Sequence, residues 1–432
     1  MPSRSEIHYF GAGPAPLPTP IIEAGAAAFQ NYKDKGIGIA EISHRSADAN
    51  EVLAQTKEAL ATLLDIPTGD DGYEILFLQG GGSGEFSAVV YNLVSVWVER
   101  RRQRIAQELG DNEEQVLERL REEVQKELML DYLVTGSWSL KASQEAARLV
   151  GSEYVNVALD ARKVNGGKFG DIPAESEWNL TLSKGKGPGA ALTYYCDNET
   201  VDGVEFPGFP AVLEPKGDDN PIVVADMSSN FISRRVNVRN YSVIFGGAQK
   251  NVGVTGITIT IVKKSLLPPH SKHADPALLR KLGLPVGPIV LDWPTIAKNN
   301  SLYNTLPIFD VWIAGQVMRR LLDMYGTEKI QGQEKVSGTK AEMIYRVLEK
   351  YPDTYHIVPV KAIRSRMNIC FRVGGGDDAK EKEFLAGAEK RGLQGLKGHR
   401  SVGGIRASNY NAVELEGAQK LVQYLEDFAK GT

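Results

Sequence analysis

The stretch Glu74-Ile-Leu-Phe-Leu78 runs without a break into Gln79-Gly-Gly-Gly-Ser-Gly-Glu-Phe86, and this junction restricts the fold more than any other part of the chain. The apolar run predicts a short buried strand, the glycines a tight turn, and the residues from Phe86 to Val98 a helix. In that order the three pieces form an anion cradle, because bare backbone N–H groups and the positive end of the helix dipole converge on one point. A phosphate is the expected guest. No Gly-Lys-Ser/Thr follows the glycines and no G-x-G-x-x-G is present, so neither a nucleoside-triphosphate loop nor a dinucleotide fingerprint is supported. The later Gly374-Gly-Gly376 is followed by two aspartates, which would repel a phosphate, and it reads as a plain turn.

The same strand-then-helix rhythm recurs through residue 265. Strands are expected at Asp131 to Val134, Ala190 to Cys196, Pro221 to Ala225, Ser242 to Phe245 and Ile257 to Val262. A helix should start at Pro20 with an apolar stripe of Ile21, Ile22, Ala26 and Phe29, and another should run from Ala49 to Leu64. Residues 99 to 129 read as two amphipathic helices with solvated charged faces, and residues 161 to 190 as an excursion over the surface. This alternation predicts an α/β fold with a mostly parallel, doubly wound sheet. At 432 residues the chain should form two domains. We expect a large one over 20–300 and a smaller α/β C-terminal one over 301–432, with residues 1–19 as a lead-in.

Composition removes several classes of function. A net charge of -4 gives no reason to expect nucleic acid or an acidic membrane as partner. Cys196 and Cys370 are the only cysteines, too few for a disulfide framework or a zinc pattern. His270-x-x-His273 lacks a third ligand in evidence, so no metal is expected. No run of eighteen apolar residues and no apolar N-terminal segment occur, and a cytoplasmic protein is the expectation.

Chemistry-bearing residues follow the strands. Trp138 comes after Asp131 to Val134, Thr200 lies in the turn-rich Asp197 to Gly203 after the next strand, and Asp226 ends Pro221 to Ala225. Lys250 sits in a glycine-rich turn between two β-branched runs. Burial disfavours the ammonium form, and a neutral amine attacks carbonyls, which makes Lys250 a candidate Schiff-base residue. In an open α/β sheet, ligands sit at the C-terminal strand edge. One edge would therefore collect a phosphate cradle, a stacking ring, a hydroxyl, a carboxylate and an amine, which are the requirements of pyridoxal 5'-phosphate. Two further segments are cationic. His44 and Arg45 precede a helix start, and Gly398-His-Arg-Ser-Val-Gly-Gly-Ile-Arg406 carries two arginines and a histidine. Guanidinium forks match carboxylate and phosphate oxygens.

Six motifs, in order along the chain, resemble those of the phosphoserine aminotransferases. They are Ser-His-Arg at 43–45, Gly-Gly-Gly-x-Gly at 80–84, Asn-Glu-Thr at 198–200, Ala-Asp-x-Ser-Ser at 225–229, Gly-Ala-Gln-Lys-Asn at 247–251 and Gly-His-Arg-x-Val-Gly-Gly-x-Arg-Ala-Ser at 398–408. The resemblance implies a fold-type I, pyridoxal-phosphate-dependent class V aminotransferase, a homodimer with active sites at the subunit interface. It implies that Lys250 is the Schiff-base lysine and proton shuttle, that Asp226 pairs with the pyridine nitrogen, and that Trp138 and Thr200 meet the ring and its 3' oxygen. Gly82, Ser83 and Gln249 would hold the cofactor phosphate, with Asn304 and Thr305 reaching it from the other subunit. His44, Arg45, His399, Arg400 and Arg406 would bind substrate.

The implied reaction carries the amino group of L-glutamate to 3-phosphohydroxypyruvate by a ping-pong route, giving O-phospho-L-serine and 2-oxoglutarate in serine biosynthesis. Two alternatives remain on the sequence. One is another class V aminotransferase of the serine- or alanine-glyoxylate type, whose substrates lack a phosphate. The other is a non-catalytic pyridoxal-phosphate protein that uses the charged segment 99–129 to bind a partner.

Overall fold

A computed structural model describes residues 3–110, 112–181, 189–215 and 220–431. Part of the expected excursion, residues 182–188, thus lies outside the described residues. In chain order the first half comprises β1 (His8–Tyr9), α1 (Thr19–Gln30), α2 (Ala47–Leu64), β2 (Tyr73–Leu78), α3 (Gly81–Leu109), α4 (Glu113–Glu127), β3 (Leu130–Val134), α5 (Ser137–Val150), β4 (Val155–Asp160) and β5 (Leu192–Cys196). A small hairpin, β6 (Asn198–Glu199) with β7 (Val204–Glu205), precedes β8 (Val223–Asp226), β9 (Val243–Gly247) and β10 (Thr258–Lys263). Then come α6 (Pro276–Lys281), α7 (Trp293–Lys298), α8 (Ile308–Tyr325), α9 (Ile330–Lys350), β11 (Tyr355–Ile357), β12 (Asn368–Val373), α10 (Asp378–Lys390), β13 (Leu393–Gln394), β14 (Ile405–Ser408) and α11 (Leu415–Lys430).

Seven strands form the main sheet in the order β2-β10-β9-β8-β5-β3-β4. Only β10 runs against its neighbours, so the other six strands all end on one edge. Because successive strand residues point to opposite faces, Ile75 and Phe77 join one core and Leu76 and Leu78 the other. Helices α2 and α8 cover the first face and α3, α4 and α5 the second. That is the doubly wound arrangement expected from the alternation. A third core lies in the C-terminal region, where α9, α10 and α11 pack on the antiparallel sheet β11-β12-β14.

Leu302, Val311, Met318 and Ile330 belong to the large core, and the small one takes up the chain from Ala341 inside α9, with Phe10 from the N-terminal segment. Two local expectations give way. On α1 the buried stripe is Ile21, Gly25 and Ala28, leaving Ile22 and Phe29 exposed. A Cβ on Gly25 would come within 3.1 Å of Ile313, so the helix docks on α8 through its small residues. Finally, α3 is continuous from Gly81 to Leu109, because its Glu, Arg and Gln residues favour helix and nothing breaks it. The charged face between α3 and α4 is not simply solvated: buried Glu123 accepts from Arg101 at 3.0 Å and also pairs with Arg104.

Candidate active site

A cavity of about 610 Å³ opens at the shared strand edge. Its floor is the turn after β9. Lys250 is buried there, and its Nζ donates to Thr200 Oγ1 at 2.9 Å. Burial lowers the amine's pKa below its ordinary value, the nearby Asp226 opposing that shift. Asp226, the last residue of β8, accepts from the Ser228 backbone N–H at 2.8 Å, and the Tyr194 hydroxyl lies 3.4 Å from its other oxygen. Burial raises the Asp226 carboxyl above the usual range. A cation placed beside it would reverse that rise.

The glycine turn forms the next wall. Gly80 and Gly81 take φ of 115° and 62°, which other residues rarely adopt, and this lets the chain swing from β2 directly into the first turn of α3. Gly82 and Ser83 line the cavity where α3 begins. The first N–H groups of a helix have no partner inside it, so this wall suits a phosphate. Gln249 also lines the cavity, and its side chain folds back over Gly247.

Trp138, second residue of α5, closes one side. Its indole Nε1 is buried without a partner, and Lys141 Nζ sits 4.3 Å from its ring centroid. On the other side Arg406, carried by β14, is buried and donates from Nη1 to the Thr200 carbonyl at 3.2 Å, while its Nε has no partner. His399 lies at the rim. Burial and then the Arg406 charge lower its pKa, with Lys141 and Arg400 adding to the effect.

The structure therefore brings Gly82, Ser83, Trp138 and Thr200 to one cavity with Asp226, Gln249 and Lys250, and with His399 and Arg406. It does not bring the remaining expected residues into that wall. Arg400 is exposed, although its charge reaches His399. Arg45 is exposed and donates to the Tyr303 carbonyl at 3.5 Å, and His44 Nε2 is buried without a partner. Asn304 donates to Gln79, the residue just before the glycine turn, and Thr305 is exposed. His44, Arg45, Asn304 and Thr305 thus stand outside the cavity of their own chain.

Two cavity features escaped the sequence reading. The lead-in contributes Ala12, Gly13 and Pro14, with the Cβ position of Gly13 only 3.5 Å from the Lys250 side chain. The Gly-Pro alternation was the available signal, since a chain that can be neither helix nor central strand is free to wall a site. Ser228, inside the Ala-Asp-x-Ser-Ser motif, donates its backbone N–H to Asp226 and its hydroxyl accepts from Gly247 N at 3.1 Å. As for His273, its Nε2 lies 3.0 Å from the Leu266 carbonyl, and among the described residues no group of three or more potential metal ligands is found.

The orphaned donors fit a planar, phosphate-bearing cofactor. Trp138 Nε1 and Arg406 Nε lack partners, the N-terminus of α3 faces the cavity, and a carboxylate lies opposite a low-pKa amine. Such a site on a fold of this kind defines an aminotransferase that uses pyridoxal phosphate. The family model for class-V aminotransferases matches residues 7–127 and 150–421.

Individual relatives narrow this. The phosphoserine aminotransferase of Saccharomyces cerevisiae is 42% identical over 427 residues, covering 99% of this chain and 98% of the yeast protein. That of Drosophila melanogaster is 38% identical, covering 98% of both. Among solved structures, the phosphoserine aminotransferase of Bacillus circulans subsp. alkalophilus superposes with a TM-score of 0.78 at 32% identity and 98% coverage of both chains. The pyridoxal-phosphate-bound enzyme of Trichomonas vaginalis gives 0.76 at 30% identity, over 97% of this chain and 99% of that one. The chain belongs to the phosphoserine aminotransferase family.

Proposed function

We propose that this chain transfers the amino group of L-glutamate to 3-phosphohydroxypyruvate, giving 2-oxoglutarate and O-phospho-L-serine, with pyridoxal 5'-phosphate bound at the strand edge. When bound, the cofactor supplies a carbonyl that takes up an amine and a protonated ring that draws electrons from the substrate Cα. Lys250 supplies the amine that anchors it. With substrate bound there, the same Nζ would take the Cα proton and return it, since burial lowers its pKa and so favours the neutral amine. Asp226 would hold a proton on the ring nitrogen, and such a cation beside it would draw its raised pKa back down. Thr200 would orient Nζ and the ring oxygen, Trp138 would cover the ring face, and Gly82, Ser83 and Gln249 would hold the phosphate.

Arg406 takes the substrate carboxylate, which both glutamate and 3-phosphohydroxypyruvate carry. His399 lies at the rim where a second anionic group would emerge, with the exposed Arg400 next to it in the chain. A guanidinium beside a hydrogen-bonding imidazole suits a phosphate on one substrate and a side-chain carboxylate on the other. The observation that carries this reading is the meeting of Lys250, Asp226 and Arg406 in one cavity.

The exposure of Arg45 and Thr305 supports a homodimer in which His44, Arg45, Asn304 and Thr305 serve the partner's cavity. In the same reading the enzyme is cytoplasmic, which suits its two free, buried cysteines. No helix among the described residues is long and apolar enough to cross a membrane.

A half-reaction assay tests the proposal. The pyridoxal-phosphate-loaded enzyme should convert to its amino form with glutamate or phosphoserine but poorly with alanine or serine. Preference for alanine would favour a glyoxylate-type aminotransferase, whose fold alone is shared by the alanine-glyoxylate enzyme of Nostoc at 13% identity and a TM-score of 0.64. No response to any amino donor would favour a non-catalytic protein.

A further inference from the structure

Helix α5, which presents Trp138, has no N-cap side chain, although Ser139 Oγ reaches back to accept from Gly136 N at 3.1 Å. The residue before it is Gly136, with no side chain, and the three N–H groups of Ser137, Trp138 and Ser139 point out of the helix start. All three are taken by two carboxylates from a segment about sixty residues further along the chain. Glu199 accepts from Trp138 N at 2.9 Å, from Ser139 N at 3.0 Å and from Ser139 Oγ at 2.5 Å. Asp202 accepts from Ser137 N at 2.7 Å. Glu199 is fully buried, and it fills the space that a side chain at position 136 would need, since a Cβ there would lie 2.3 Å from its carboxyl carbon.

The same short turn holds the other side of the cavity. Thr200, next to Glu199, receives Lys250 on its hydroxyl and Arg406 on its carbonyl. Asn198, on the opposite flank, donates to Asn368 at 2.8 Å and accepts from Ser365 at 2.5 Å, both in the C-terminal region. Residues 198–202 are thus a joint. They tie the start of α5 to the anchoring amine, the carboxylate-binding arginine and the strand β12 behind that arginine.

We infer that Glu199 is a positioning residue for the reaction: through the N–H groups of Trp138 and Ser139 it sets the indole against the cofactor ring, in register with Thr200 and Arg406. Two direct hydrogen bonds to the backbone fix the orientation of the first turn of α5, and the indole hangs from that turn. Without them the ring can swing while the cavity remains. The inference rests on the cofactor assignment made above.

A double-mutant cycle on the pyridoxal-phosphate-loaded enzyme tests it. Cofactor dissociation and the cofactor's visible circular dichroism are measured for the parent, Glu199→Gln, Trp138→Ala and the double variant, with Glu199→Ala as a stronger lesion if it folds. Glutamine keeps one acceptor oxygen, so Glu199→Gln folds and loses part of the grip. In the parent background it should weaken cofactor binding about tenfold, comparable to the loss of a helix cap, and reduce the visible dichroism. In the Trp138→Ala background the same change should cost less than about twofold, because the two residues act as a unit. Equal losses in both backgrounds, or unchanged dichroism and binding in Glu199→Gln, overturn the inference alone. A parent chain that takes up no pyridoxal phosphate overturns the functional reading, and this inference with it.

Discussion

Lys250 and Thr200 meet through a 2.9 Å hydrogen bond from Nζ to Oγ1, although they lie on different strand-end turns fifty residues apart. They meet because β5 and β9 end on the same edge, separated only by β8. The carbonyl of the same threonine receives Arg406 at 3.2 Å. One residue thus spans the proposed proton carrier and the proposed carboxylate anchor.

Removing the amine should stop the chemistry without emptying the cavity. Lys250→Ala is expected to lose the lysine-linked visible absorbance of the cofactor and to lower turnover by on the order of 10²–10⁴-fold, the contribution of a positioned acid–base group. Absorbance spectra and single-turnover rates with glutamate check this. A variant with normal turnover would remove Lys250 from its role.

Arg406→Ala should raise KM for glutamate and for 3-phosphohydroxypyruvate alike. A charge-assisted hydrogen bond contributes about 1.5–3 kcal/mol, so an increase of roughly 10- to 100-fold is expected. Arg406→Lys should recover only part of it, because an ammonium lacks the planar fork. Steady-state kinetics with both substrates decide the point, and an effect confined to one substrate would argue against a shared carboxylate site.

Glu85 gives a pH test. It lies one turn into α3, fully buried, near Thr260 and Asp226. Burial pushes it up from 4.5 to about 8. Between those values the folded chain holds a proton that the unfolded chain releases, so stability falls as pH rises through the window. The slope for one proton is at most about 1.4 kcal/mol per pH unit. Glu85→Gln removes the ionisable group with little change of shape. In urea unfolding it should be more stable than the parent above about pH 8, with the difference shrinking toward about pH 4.5. A constant difference across that range would show that Glu85 does not titrate as described.

The dimer reading predicts complementation. Lys250→Ala and Arg45→Ala should each be nearly inactive alone. If Arg45 serves the partner's cavity, unfolding and refolding them together should restore part of the turnover, since hybrid dimers hold one intact site. Sedimentation equilibrium on the parent provides the companion measurement, and a monomer would end this reading.

Much of the site was legible because its residues follow strands. Asp226 and Lys250 each come just after a β-branched apolar run, and the glycines at 80–84 announce a turn between a strand and a helical stretch. Such signals are local, set by side-chain period and backbone sterics. Glu199 was hidden inside the Asn-Glu-Thr motif because its partners, Trp138 and Ser139, lie about sixty residues away. Likewise the buried stripe of α1 depended on α8, where Ile313 leaves room only for the small face of the helix.

By itself, then, the sequence determined the strand and helix rhythm and the doubly wound sheet, which follow from short-range patterning, and marked the amine, the carboxylate and the arginines as candidates, their roles being what the family resemblance implies. The tertiary structure decided which of these share a cavity, that the N-terminal lead-in walls it, and that residues 198–202 join α5 to the C-terminal region. Those relations depend on sheet order and on hydrogen bonds between distant segments. A run of neighbouring residues cannot encode them, because burial and the partners of a polar group exist only once the chain has closed on itself.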